Sequence, residues 1–309
     1  MPSGLIRILN FDDSLPRQKN LIKRFSPSLC DFREIGPAVR SWMNKRQALK
    51  IRSCLQGRGD PRVNLLGSGD FHHLSALLLD GLREQVSLII FDFHPDWDTL
   101  PPRMGCGSWV SRALENKNVL KVIQIGVSSA DISTAGIWTA NLKGLENQKL
   151  EIFPYRHCPT RVCFRRVPRN PCLRQEKGLF STLIHWTQVK DFGMEEIIRR
   201  IISRLPTDKV YLSIDKDCLK PDYALTNWES GYLDLGELLI ALRMIREKLQ
   251  IIGLDICGEF SPLNFSGRIK GILSRLDHPK DFSAAGKDND SIDRVNESTN
   301  IRILESLRL

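Results

Sequence analysis

No run in the 309-residue chain approaches the roughly 18 apolar residues that a membrane span requires. The first residues also lack the apolar stretch and small-residue cleavage site of an export signal, so a cytoplasmic protein is expected. The 8 cysteines contain no C-x-x-C pair, and in a chain without an export signal they are expected to be reduced thiols. Glycine (21) and proline (16) stand near average usage, which excludes collagen-like repeats and wholesale disorder. Internal repeats and low-complexity tracts are missing as well.

What is present is a net charge of +9, unevenly spread. Residues 1–62 carry +8 and residues 151–190 carry +6, whereas 63–150 and 191–309 carry −2 and −3. Two basic blocks fit a nucleic-acid surface or, more simply, solvated faces and an oligomer contact. The rest of the chain is mildly acidic.

Hydrophobic patterning predicts alternating strands and helices. Ile35, Val39, Trp42 and Met43 follow helical spacing within 31–57, and a Gly/Pro break follows at 57–61. VNLLGSGD, SLIIFDF, VLKVIQIGV, KVYLSID and IIGLDICGEF read as strands. HHLSALLLDGL, MEEIIRRIISRL and LDLGELLIALRMIREKL read as helices. Mostly apolar strands alternating with helices predict a parallel sheet covered on both faces. One α/β domain is expected over 1–280, with a basic insertion at 151–190. Residues 281–309 read as a polar linker and an apolar tail.

Four strands end in acids and histidines: Asp70, His72 and His73; Asp92, His94, Asp96 and Asp98; Asp215 and Asp217; Asp255 and Glu259. Ligands of open α/β sheets bind outside the carboxyl ends of the strands, so these clusters are expected to share one crevice. Period-two spacing predicts that Asp92, His94 and Asp96 face one side of an extended segment, as do Asp215 and Asp217. So many carboxylates cannot all ionise in a dry crevice without cations. Oxygen and imidazole donors suit manganese, iron, zinc or cobalt, and the excess of acids suggests two ions. A separate zinc site built on His157, Cys158, Cys163 and Cys172 has no familiar spacing.

At these residues the chain resembles the ureohydrolases: arginases, agmatinases and formiminoglutamases. FDFHPDWD is similar to their Asp-Ala-His-x-Asp signature, SIDKDCLKP to Ser-x-Asp-x-Asp-x-x-Asp-Pro, and GSGDFHH to Gly-Gly-Asp-His. SGYLD and GLDICGEFSP are similar to two later motifs, so the resemblance spans about 64–262. It implies a three-layer α/β sandwich with a doubly wound, mostly parallel sheet of about eight strands. It also implies two Mn²⁺ ions bridged by Asp92 and Asp215. His72 or His73, with Asp96, would complete one ion; His94 and Asp217 would complete the other. A hydroxide between the ions would attack a guanidino, amidino or formimino carbon, with Asp96 handling its proton and Glu259 orienting a cationic small-molecule substrate. A homo-oligomer is expected, and a nucleic-acid or membrane partner is not.

The departures are specific. Phe71 is inserted after Asp70, Lys220 replaces an acid, and Gly258 adds a residue before Glu259. The family's histidine-bearing Ser-Gly-Asn-x-His-Gly loop is replaced by RMGCGSW at 103–109. A metal-dependent deacetylase, which uses a His-His pair, and a non-catalytic metal-binding relative with a basic partner surface are the competing readings.

Overall fold

Strands rich in Val, Ile and Leu need both faces covered, and the computed structural model, which describes residues 5–55, 62–278 and 284–308, meets that need with one large parallel sheet. In chain order the strands are β1 (Ile6–Asn10), β2 (Ser28–Asp31), β3 (Val63–Ser68), β4 (Val86–Phe91), β5 (Val119–Ile125), β6 (Leu150–Phe153), β7 (Thr160–Cys163), β8 (Leu173–Lys177), β9 (Ser181–Trp186), β10 (Lys209–Asp215) and β11 (Gln250–Glu259). Eight of them pair in the order β2-β1-β3-β11-β10-β4-β5-β6, every pairing parallel. Ile8 and Leu65 join one apolar cluster while their neighbours Leu9 and Leu66 join another, so a core lies on each face of the sheet. This is the expected three-layer arginase-like α/β sandwich.

The four strands with acidic ends, β3, β11, β10 and β4, are consecutive in space although far apart in sequence. Their carboxyl ends therefore open on one crevice. The basic insertion forms β7, β8 and β9, a small antiparallel sheet in the order β7-β9-β8.

Two local expectations need correction. The helical segment expected over 31–57 is instead a one-turn helix (Gly36–Val39) and a second helix (Lys45–Leu55), with non-helical residues between them. The chain breaks at Arg40 and Ser41 because the buried Arg40 guanidinium must reach Asp70, and Ser41 takes a left-handed φ of 62°. The Gly/Pro break at 57–61 lies outside the described residues.

The polar linker is the second correction. Residues Asn289–Ser306 form an 18-residue helix, capped by the Asp288 side chain on the Ser291 N–H. Its polar residues Asn296, Glu297, Thr299 and Asn300 are buried and bonded, where a composition-based reading places them in solvent. Glu297 caps another helix in trans. Its Oε1 accepts the N–H groups of Asn20 (2.5 Å) and Leu21 (3.0 Å) at the start of Lys19–Phe25, a helix whose own preceding residue supplies no side-chain cap.

Candidate metal centre

β4 ends at Phe91, and the next residues do not continue as a strand. Asp96 has a left-handed φ of 45°, so the segment turns where period-two spacing predicts extension. The turn still delivers its carboxylates, by a simple device. Asp92 accepts the His94 N–H on Oδ1 (2.8 Å) and sends Oδ2 inward. Asp215 accepts the Asp217 N–H on Oδ1 (3.1 Å), and Asp217 accepts the Phe93 N–H on Oδ1 (3.1 Å). Each carboxylate thus uses one oxygen on backbone and leaves the other for the centre.

His72 sits in the 3-10 turn Gly69–Leu74 that follows β3. The Ser213 hydroxyl donates its single proton to Asp255 Oδ1 (2.6 Å), so toward His72 Nε2 (2.8 Å) it acts as acceptor. His72 Nδ1 then faces Asp92 Oδ2 at 3.1 Å, Asp96 Oδ2 at 3.5 Å and Asp215 Oδ2 at 3.6 Å. Neither His72 Nδ1 nor Asp92 Oδ2 has a hydrogen-bond partner, and both are buried. Four electron-rich atoms converging in a buried crevice fit a cation, whether a proton on His72 or a metal ion. Gly69 leaves the space for this arrangement, since a Cβ there would lie 2.8 Å from Asp215 Oδ2.

His94 Nδ1 stands 2.9 Å from Asp217 Oδ2 and 3.9 Å from Asp92 Oδ1, with Glu229 Oε2 3.3 Å from Nε2. Three groups of side chains have donor spacing suited to an ion: His72, Asp92 and Asp96; Asp92, His94 and Asp217; and His72, Asp215 and Cys257. Asp92 is shared by the first two groups. Among the described residues, His157 and the cysteines of the insertion form no such group, and Cys172 is buried while Cys158 is exposed.

The electrostatics agree. Burial, then Asp96 and Asp217, hold the Asp92 carboxyl well above the usual range. Burial and Asp217 raise Asp215 to about 6. Burial opposes the charged form of His72, yet the neighbouring Cys257, Asp92 and Asp96 raise it well above an ordinary imidazole. His94 is raised against burial by Asp217 and Glu229. Without a metal, protons take the place of the cation.

The centre floors a cavity of about 210 Å³. Asp92, Asp96, Asp98, Asp131, Asp215, Asp217 and Glu229 line it, and no lysine or arginine is among its described lining residues.

A profile of the arginase family matches residues 165–269, which include the end of β10 and the β11 motif. An uncharacterized protein of Thermotoga maritima is 30% identical over 203 residues, 66% of this chain and 60% of the relative, so the chain spans less than two thirds of that relative's length. The fold is similar to formimidoylglutamase from Bacillus subtilis (TM-score 0.58, 15% identity, 99% of this chain and 87% of that one). It is similar to arginase from Bacillus subtilis (TM-score 0.58, 14% identity, 99% and 98%) and to agmatine ureohydrolase of Thermoplasma volcanium (TM-score 0.56, 14% identity, 99% and 90%). By fold and by the profile match over part of its length, the chain is similar to the arginase family.

Against that family pattern, four placements stand out. His73, the other candidate in its motif, is buried with both ring nitrogens unpartnered, outside all three donor groups and off the cavity wall. Burial, Lys270 and His72 lower it to about 3. Asp70 faces away from the centre, bonded to Arg40 (2.6 Å), His278 (2.7 Å) and Trp228 Nε1 (3.1 Å). Glu259, expected to orient substrate, is not on the cavity wall. It is ion-paired with the fully buried Lys216 and accepts from Gln18 (2.8 Å) and Asn300 (2.7 Å), so both oxygens are engaged in the interior. Trp109, from the loop that replaces the family's histidine, donates its indole N–H to Asp96 Oδ2 at 2.7 Å.

Sequence reasoning missed Cys257, His278, Asp131 and Glu229. Only Cys257 had a signal, the extra Gly258 in its motif. His278 lies beyond the motifs yet stacks on Trp228 at 4.5 Å beside the cavity.

Proposed function

We propose that this protein is a metal-dependent hydrolase of linear C–N bonds in small cationic substrates of guanidino, amidino or formimino type. Two divalent ions, Mn²⁺ by the family resemblance, would be held by His72, Asp92, Asp96, Asp215, His94 and Asp217. The observation that carries the reading is His72 Nδ1, its ring oriented by Ser213 and Asp255 and facing three carboxylate oxygens. When bound, the ions would supply Lewis acidity and lower the pKa of water between them. The chain's own residues do the rest. Asp92 and Asp215 would bridge the ions, and Asp96, held by Trp109, is the candidate to take the water proton. The acidic wall favours a cationic substrate, since no lysine or arginine among its described residues would receive a carboxylate.

A deacetylase reading would require both histidines of the His72-His73 pair at the centre, and His73 lies outside the donor groups. Assembly as a homo-oligomer accompanies the proposal and is checked by light scattering.

The test is to load the purified protein with Mn²⁺, count metal per chain, and assay release of urea, formamide, acetate or ammonia from guanidino, formimino and acetylated amines. Turnover of an amidine-type substrate that chelation abolishes supports the proposal. Acetate as the sole product, or no metal uptake, rejects it.

A further inference from the structure

The chain carries a sulfur atom where its motifs announce only oxygen and nitrogen. Cys257 Sγ lies 3.1 Å from Asp215 Oδ2, the same oxygen that stands 3.6 Å from His72 Nδ1. Cys257, His72 and Asp215 are all buried and have ion-holding spacing. The backbone is built to put the thiol there. On the β3 side, Cys257 pairs with Gly67 and Glu259 with Ser68, so Gly258 is the extra residue of a β-bulge. Its φ is +87°, and a Cβ on it would meet Asp215 Oδ1 at 2.5 Å and Lys216 N at 2.6 Å. The bulge therefore presses β11 against the end of β10, directing Cys257 at the centre while Glu259 joins Lys216. The unpartnered, buried His72 Nδ1 is a second and independent sign that this point suits a cation.

We propose that Cys257 is a thiolate ligand of the ion held by His72 and Asp215, giving a mixed sulfur, nitrogen and oxygen site. This rests on the metal-centre reading above and deepens it. On binding, the S–H proton now donated to Asp215 leaves to solvent as the sulfur–metal bond forms, with no change of oxidation state. A thiolate favours zinc, iron or cobalt over manganese, so this ion is expected to differ in preference from the one at His94 and Asp217.

Full-length protein loaded with Co²⁺ should show a near-ultraviolet sulfur-to-cobalt charge-transfer band, absent from Cys257→Ser. X-ray absorption of the unmutated Zn²⁺-loaded protein should show a sulfur neighbour at about 2.3 Å, a readout that needs no variant to fold. Metal bound with only oxygen and nitrogen neighbours overturns the thiolate and leaves the proposed hydrolase standing. Failure to bind either metal overturns both.

Discussion

The Trp109 indole both donates its N–H to Asp96 Oδ2 at 2.7 Å and packs its ring 4.6 Å from His72. One fully buried side chain thus positions two of the proposed ligands. Residues that orient ligands commonly affect metal affinity by about 10–100-fold. Trp109→Phe keeps the ring and removes the donor, so metal affinity should fall within that range. Isothermal titration of wild type and variant decides it, and equal affinities would show that the indole N–H does not matter.

Removing a proposed bridge should be more severe. Asp92→Asn and Asp215→Asn are each expected to lower metal content below that of wild type. Elemental analysis after dialysis against buffered Mn²⁺ or Zn²⁺ reads this directly. Full content in both variants would mean the ions bind elsewhere.

Protons and a metal ion would compete at Asp215. Its carboxyl is raised to about 6 by burial and Asp217, so the folded metal-free protein holds a proton that the unfolded chain has released. That contribution to stability is complete below the ordinary value of 3.8 and is lost as pH rises through about 6. Metal-free protein should lose melting temperature across this window relative to Asp215→Asn. Metal affinity should rise over the same interval, because the bound carboxylate must be ionised. Calorimetry with and without chelator checks both signs.

The gathering of these carboxylates and histidines was legible in the sequence because D-x-H-x-D and D-x-D follow buried strands, and the sheet brings such strand ends together. Its geometry was less so. Asp96 arrives through a left-handed turn, and Cys257 through a bulge, neither of which period-two reasoning produces. The helix Asn289–Ser306 reads as a linker because its buried face is built from Asn296, Glu297 and Asn300. Their partners, Leu225, Asn20 and Glu259, lie far away in the chain.

Glu259 separates two roles by experiment. If it serves the interior, Glu259→Gln leaves the Lys216 charge buried without its partner and should cost roughly 3–5 kcal/mol in denaturant unfolding. If it orients substrate, KM rises while stability holds. The bonds to Lys216, Gln18 and Asn300 predict the first outcome.

Glu297→Ala should uncap the helix Lys19–Phe25 and lower stability by about 0.5–2 kcal/mol, the usual range for a lost helix cap. Thermal unfolding of the variant measures this, and an unchanged melting temperature would dismiss the cap in trans.

The partners of Glu259 also tie distant parts of the chain to one strand end. Gln18 and Asn300 stand 282 residues apart, yet both hold the carboxylate at the end of β11. Without the helix Asn289–Ser306, that strand end would lose one of its clasps and Lys19–Phe25 its cap. The crevice is therefore held in shape in part by a helix that contributes no residue to its described wall.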